Sequence, residues 1–357
     1  MAAGVMLNRA IAVAAVGVLF AACGGAPSPA PVEPPGVLVP RLVQRQHVSM
    51  GAPVELTAWT TQESEAVRAF DAVFAEFDRL DGLLSVWREG SDVLRLNAGA
   101  GLHAVAVSPD TLEVLRQAIE VSDWTHGKFD VTFGALSDVW KFDHDQDNRV
   151  PTPSEIAARL PLVDYHAIVL DQKAGTAFLQ RAGVRVHLGG IGKGYAVDRA
   201  VGILRSRGLR DFMVQTGGDL YVAGLKGDRP WRLGIRDPRG SAEQSFATLE
   251  LSDSTFSTSG DYERFFMKGG LRYHHLLDPA RGEPARLARS VTIVSRRATQ
   301  ADGLSTGVFI LGPEEGMALI ERLPDVEGVI VTARNEVLIS SGLKSRLRLI
   351  ASPTDAP

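Results

Sequence analysis

The chain holds a single cysteine among 357 residues, few aromatic residues (7%), and no excess of positive charge, with 38 Lys+Arg against 42 Asp+Glu. One cysteine excludes an internal disulfide and a thiolate-rich zinc site. A formal net charge of −4 excludes a protein that binds nucleic acid by neutralising phosphates over a broad basic face. The longest early apolar run, Ala10–Ala22, is too short to cross a bilayer as a helix, which takes about 20 residues. What is present suffices for a core: 45% hydrophobic and 22% charged residues exclude wholesale disorder.

The one cysteine, Cys23, directly follows that run, which Arg9 precedes and Ala21-Ala22 close. A basic start, a short apolar stretch and small residues before a cleavage point read as a secretory signal. With the cysteine next in line, residues 1–22 resemble a bacterial lipoprotein signal, with Phe20 where leucine is common. This implies lipidation of Cys23 and a membrane-anchored protein on the extracytoplasmic side of a bacterial cell envelope. Gly24–Pro40 holds six of the 19 prolines. Proline fixes φ and lacks an N–H, so residues 23–40 read as an extended tether. The folded part is expected over residues 41–350, with 351–357 as a tail.

Periodicity predicts a strand over Val48–Trp59 bent at Pro53, then an amphipathic helix over Thr60–Leu84. A Thr60/Glu63 capping box opens that helix, and Ala66, Val67, Phe70, Val73, Phe74, Phe77 and Leu80 form one apolar stripe. A short strand (His103–Val107) precedes a helix opened by Ser108-Pro109. Strands are expected at Ala167–Leu170 and Val184–Leu188, a helix at Tyr195–Arg207, and strands at Phe212–Gln215, Leu220–Ala223, Arg232–Arg236, Ala247–Leu251 and Arg272–Leu277. Ser290–Ser295 then leads to helices at Asp302–Leu311 and Pro313–Leu323 and strands at Gly328–Ala333 and Glu336–Ile339. The expected class is α+β: mixed, mostly antiparallel sheets flanked by helices, in a single domain with two subregions.

Several segments could carry chemistry. His187-Leu188-Gly189-Gly190-Ile191-Gly192-Lys193-Gly194-Tyr195 puts four glycines between a strand and a helix. Backbone there can approach a ligand closely, the helix start offers free N–H groups, and Lys193 adds charge. It is neither a Walker A loop nor a dinucleotide fingerprint, since neither spacing fits; a tight turn is the plainer alternative. Gln215-Thr216-Gly217-Gly218-Asp219 is a second glycine turn, which hairpin geometry also explains. Ser257–Arg264 clusters hydroxyls, a carboxylate and a ring; a solvated turn accounts for it equally. In Arg272–Pro279, His274 and His275 face opposite ways on a strand, so they cannot share a metal. Asp302 and Thr306 lie four apart on one helix face. Oxygen donors of this kind suit Mg²⁺, while an N-cap aspartate with a back-bonding threonine is the structural alternative.

In this order, these segments resemble the FAD:protein FMN transferase (ApbE) family from about Met50-Gly51 to Ile339. Leu84–Trp87, Ser91-Asp92, Leu96-Asn97, Gly127–Thr132, Leu188–Asp198, Thr216–Leu220, Thr258–Arg264, His275–Pro279 and Ala301–Thr306 carry the resemblance. It implies an ApbE-like fold and an enzyme that splits FAD with Mg²⁺, joining FMN to a Ser or Thr of a target redox protein and releasing AMP. It implies a metal held by Asp302, Thr306 and a carbonyl of Gly190 or Gly192. His275, Lys193 and Asp261 are the implied catalytic residues. Met50, Trp87, Asp130, Thr132, Gly190, Gly192, Lys193, Asp198, Gly218, Asp219, Ser259, Tyr262 and His275 are the implied nucleotide contacts. An FAD pyrophosphatase and a non-catalytic FAD-binding lipoprotein are the competing expectations.

Overall fold

A computed structural model describes residues 39–356. The signal reading lies outside these residues, as does most of the tether. From the N-terminal end, β1 (Arg41–Ser49) and β2 (Ala52–Thr60) form a hairpin, followed by α1 (Glu63–Leu84), α2 (Asp92–Ala98), β3 (Val105–Ala106) and α3 (Pro109–Trp124). Next come α4 (Pro153–Arg159), β4 (Ile168–Asp171), β5 (Thr176–Leu179) and α5 (Gly192–Ser206). Five strands follow: β6 (Phe212–Thr216), β7 (Asp219–Ala223), β8 (Trp231–Arg236), β9 (Ser245–Leu251) and β10 (Ser254–Gly260). Two small hairpins, β11 (Phe265–Lys268) with β12 (Leu271–His274) and β13 (Leu277–Asp278) with β14 (Glu283–Pro284), precede β15 (Ala288–Ser295). The last elements are α6 (Ala298–Leu311), α7 (Pro313–Arg322), β16 (Glu327–Thr332), β17 (Val337–Ile339) and β18 (Arg348–Leu349).

The frame is an eight-stranded sheet in the order β1-β2-β6-β7-β10-β15-β16-β17, every neighbouring pair antiparallel. Its strands β7 and β15 are buried at every position: successive side chains on a strand point to opposite sides, and a core covers each side. In β15, Val291 and Ile293 face the helices, while Val294 joins a second core with Trp231, Phe246 and Leu249 under the three-stranded sheet β18-β9-β8. The main core is closed by α1, whose stripe buries Ala66, Phe70, Val73, Phe77 and Leu80 as the periodicity predicts. Each such phenylalanine contributes about 2–3 kcal/mol by leaving water. A third, smaller core stacks Phe142, Trp140, Tyr273 and Phe266 in a closed cycle, each ring against two others.

Several boundaries differ from the sequence reading. The bent strand at Val48–Trp59 is instead a hairpin, because Met50 (φ 51°) and Gly51 (φ 73°) form a turn with both central residues left-handed, the geometry that matches strand twist. The Thr60/Glu63 capping box does not form: α1 starts at Glu63 without a side-chain cap, and Thr60 Oγ1 accepts from Gln62 N–H. By contrast, Ser108 does cap α3, accepting from Thr111 N–H, with Pro109 in the first turn. Val184–Leu188 is not a strand. Asn97 takes both main-chain groups of Val186 and Val131 takes the N–H of His187, so its backbone is satisfied without a ladder. Ser257–Gly260, for which a solvated turn and a ligand-contacting segment were equally open, is the end of β10, and residues 272–277 break into two strands. Helices α2 and α4 and strands β5, β11, β14 and β18 lie outside the segments that periodicity predicts. The C-terminal residues are docked: Asn335 donates to Pro353 O, and Thr354 donates through N–H and Oγ1 to Asp237.

Helix α6 starts at Ala298, so Asp302 lies inside the helix and is not its cap. Its own N-cap residue, Arg297, makes no side-chain cap. The cap comes from α5: Asp198 accepts from Ala298 N–H (2.8 Å), Thr299 N–H (2.9 Å) and Thr299 Oγ1 (2.6 Å). This overturns the reading of Asp198 as a nucleotide contact, since its carboxylate is fully used in holding α6. Asp198→Ala should therefore cost about 2 kcal/mol or more. A urea-unfolding midpoint unchanged from wild type would contradict the assignment.

Candidate active site

Where the β6–β7 turn, the start of α5, the end of β10 and the middle of α6 converge, they enclose a cavity of about 920 Å³. The approach of α5 to α6 is set by Gly194: a Cβ there would lie 2.3 Å from Ala298 O and 2.7 Å from the Asp302 Cβ. With no side chain in the way, Gly194 N–H donates to Asp302 Oδ2 at 2.9 Å. The glycine loop thus brings the α5 N-terminus onto the α6 carboxylate.

Around this contact the charges interlock. Lys193 Nζ lies 3.1 Å from Asp219 Oδ2 and 3.8 Å from Asp302 Oδ2, and it donates weakly to Gly189 O at 3.4 Å. Ser257 Oγ donates to the other oxygen of Asp219. Burial alone would lower the Lys193 pKa, but the Asp219 and Asp302 carboxylates outweigh it and the net shift is upward. The lysine stays charged and is largely committed to its two aspartates. Burial, reinforced by the Asp219 charge, pushes Asp302 up to about 7, with Lys193 and the Gly194 N–H opposing. A cation beside Asp302 would favour the carboxylate and oppose that rise.

One helical turn on, Thr306 Oγ1 lies 3.1 Å from Ser259 Oγ, which also meets Ser305 Oγ at 2.8 Å. The position of a Cβ on Gly190 falls 3.6 Å from Thr306 Oγ1, so the glycine loop and the α6 donors share one spot. These are all hard oxygen donors. Among the described residues no group of three or more His, Cys, Asp or Glu gathers, which leaves no all-protein cage. Mg²⁺ binds through one or two carboxylates plus water and substrate phosphate, and this donor set fits it. Gly192 does not: it is the first residue of α5, off the cavity wall, and its carbonyl belongs to the helix ladder. Gly190 is the glycine on the wall.

His275 lines the cavity from the other side, its N–H and Nδ1 both at Arg264 O, 3.2 and 3.3 Å away. Burial, then the Arg264 guanidinium, holds its imidazole well below the usual range, so it is neutral at pH 7. The Arg264 side chain pairs with Asp143. Met50, Trp87, Asp130, Gly218 and Ser259 also reach the wall. Trp87 is 52% exposed and meets His144 edge-on at 4.3 Å, an open aromatic surface at the site.

Residues 50–330 match the sequence profile of the ApbE family. The chain belongs to that family. Among its ApbE relatives, the FAD:protein FMN transferase of Treponema pallidum is 33% identical over 304 residues, 80% of this chain and 83% of that protein. The Klebsiella pneumoniae protein of the same name is 32% identical over 317 residues, 88% of this chain and 96% of that one. The crystal structure of the ApbE protein from Thermotoga maritima is similar with a TM-score of 0.79 at 32% identity, covering 86% of this chain and 99% of that one. The flavin transferase ApbE from Vibrio cholerae gives 0.78 at 27% identity, with 86% and 99% covered.

Against this ApbE frame, some implied residues are placed elsewhere. Asp261 is not a free acid or base: Arg239 grips it bidentately at 2.7 and 2.8 Å, both side chains under 10% exposed. Tyr262 lies off the cavity wall, its ring under the Arg236 guanidinium at 4.5 Å. Thr132 is fully buried, donating through N–H and Oγ1 to Asp130 and accepting from Asp164 N–H. Asp130 also accepts from Tyr165 N–H, so its carboxylate fastens a loop even though the residue reaches the wall. Arg264 and Asp143, both on the wall, carried no role in the sequence reading. Their pairing spans 121 positions, which no local pattern records.

Proposed function

We propose that this ApbE-family chain is a Mg²⁺-dependent FAD:protein FMN transferase that joins FMN by a phosphoester bond to a Ser or Thr of a target protein. The observation that carries the reading is the convergence of Asp302, Thr306 and Gly190 with Lys193 and His275 on one cavity. Mg²⁺, when bound by Asp302, Thr306 and the Gly190 carbonyl, supplies charge neutralisation on the pyrophosphate.

The chain's own groups do the rest. Lys193, held by Asp219, adds a fixed positive charge beside the pyrophosphate. His275 is neutral; with its Nδ1–H turned to the Arg264 carbonyl, Nε2 takes the proton of the acceptor hydroxyl. The acceptor oxygen forms its bond to the FMN phosphorus as the bond from that phosphorus to the bridging oxygen breaks, and AMP leaves with that oxygen. Asp261 and Arg239 keep the segment leading to Arg264 in place. Trp87, Met50 and the apolar wall receive the flavin rings.

The location follows from sequence. Cys23 behind its apolar run supports a lipid-anchored enzyme on the extracytoplasmic face of a bacterial membrane, with residues 24–40 as tether. In the full-length chain, Cys23→Ser should move the protein from the detergent phase to the aqueous phase in Triton X-114 partitioning. Equal partitioning of both forms would contradict the anchor.

A further inference from the structure

Pro353, Thr354 and Asp355 follow the last strand, β18, and lie beyond the 50–330 stretch that matches the ApbE profile. A polar terminal segment of this kind ordinarily frays unless something ties it down. Here Pro353 is buried, and its carbonyl accepts from Asn335 Nδ2 at 2.7 Å. The Arg289 guanidinium donates to Thr354 O at 3.2 Å and to Asn335 Oδ1 at 3.0 Å. Thr354 itself donates twice to Asp237 Oδ2, through N–H at 2.9 Å and through Oγ1 at 2.6 Å.

Asp237 is 1% exposed, and its other oxygen accepts from Arg239 N–H at 3.0 Å. Burial alone would raise its pKa, but the Thr354 hydroxyl and the Arg239 N–H outweigh it and the net shift is downward. The charged carboxylate thus joins the C-terminal segment to the loop that carries Arg239. Arg239 grips Asp261 at 2.7 and 2.8 Å, and the N–H of Asp261 donates to Arg289 O at 3.1 Å. Arg289 therefore holds Thr354 by its side chain and Asp261 by its backbone. Three residues beyond Asp261, the Arg264 carbonyl receives the N–H of His275 and faces its Nδ1. We propose that Thr354 is a positioning residue for His275, acting through Asp237, Arg239 and Asp261 on the carbonyl that orients the ring. Its consequence for the reaction rests on the reading of His275 as the base. Intermediate placement alone does not establish coupling, so the ring and the chemistry are read separately.

Thr354→Val keeps the side-chain shape and the N–H contact but removes the hydroxyl donor, whereas Thr354→Ser keeps the donor. In the full-length chain without FAD, long-range ¹H–¹⁵N spectra of the imidazoles report the His275 ring, its signals assigned by their loss in His275→Ala. Single-turnover AMP release at saturating FAD and Mg²⁺ reports the chemistry. The Val variant should shift the His275 signals and release AMP about tenfold more slowly, with FAD affinity within about twofold of wild type. The Ser variant should restore the wild-type signals and bring the rate within about twofold of wild type. Unmoved His275 signals in the Val variant, whatever its rate, would overturn the assignment. So would equal rate losses in both variants with lowered melting temperatures, which would make Thr354 a support of the fold alone. A wild-type chain that releases no AMP would overturn the reading of the cavity, and the His275 signals would then decide the positioning role by themselves.

Discussion

Asp302→Asn is expected to abolish Mg²⁺-dependent cleavage of FAD, lowering kcat on the order of 10³-fold or more, without loss of the fold. Asp302 is a buried carboxylate that meets the glycine loop, through Gly194 N–H at 2.9 Å, and shares the Thr306 face of α6. The substitution removes the charge but keeps an oxygen for that N–H. Because burial and Asp219 raise the Asp302 pKa to about 7, the folded state binds its proton more tightly than the unfolded state does. The ionised form therefore costs stability as pH rises from the ordinary carboxylate range through 7. Asparagine removes that cost, so the metal-free variant should melt at or above the wild-type temperature. Mg²⁺ should raise the melting temperature of wild type and leave the variant unmoved. A variant that keeps its activity, or an equal Mg²⁺ shift in both proteins, would move the metal elsewhere.

Replacing His275 by Ala should lower the transfer rate by about 10²–10⁴-fold, the range for loss of a positioned general base, with FAD affinity changed less than about threefold. The ring's neutrality has a physical cause, burial followed by the Arg264 guanidinium, so the base is ready at neutral pH without first losing a proton. Rapid-quench measurement of AMP release at saturating FAD separates chemistry from binding. A rise in KM with kcat intact would make His275 a binding residue.

Much of the architecture was legible because it is local. The 3.6-residue stripe of α1 and the Ser108-Pro109 opening of α3 need only their own segments. The same holds for the glycine loop before α5 and the i, i+4 pair Asp302 and Thr306. What the sequence concealed is mostly long-range. Asp198 caps a helix a hundred residues away, Arg239 occupies Asp261 from a loop between β8 and β9, and Asn97 satisfies Val186 so that an apolar run forms no strand. In each case a side chain spends its hydrogen-bonding capacity on backbone or on a counter-charge. A polar residue in a motif then looks like a ligand contact until its partner is seen. Some misses were local: the Thr60/Glu63 box caps nothing while a Thr152/Glu155 box opens α4, and Met50 in a left-handed turn, a conformation uncommon outside Gly, Asn and Asp, hid the β1–β2 hairpin.

Transfer of FMN from FAD onto a protein hydroxyl in this cavity leaves a covalent adduct that intact-mass spectrometry reads. A candidate acceptor protein bearing a Ser or Thr target would be incubated with the folded domain, FAD and Mg²⁺. The expected result is an added mass of one FMN on the acceptor, an equal amount of AMP, and neither with Asp302→Asn. Free FMN and AMP with every acceptor unmodified would contradict it and make the enzyme a hydrolase.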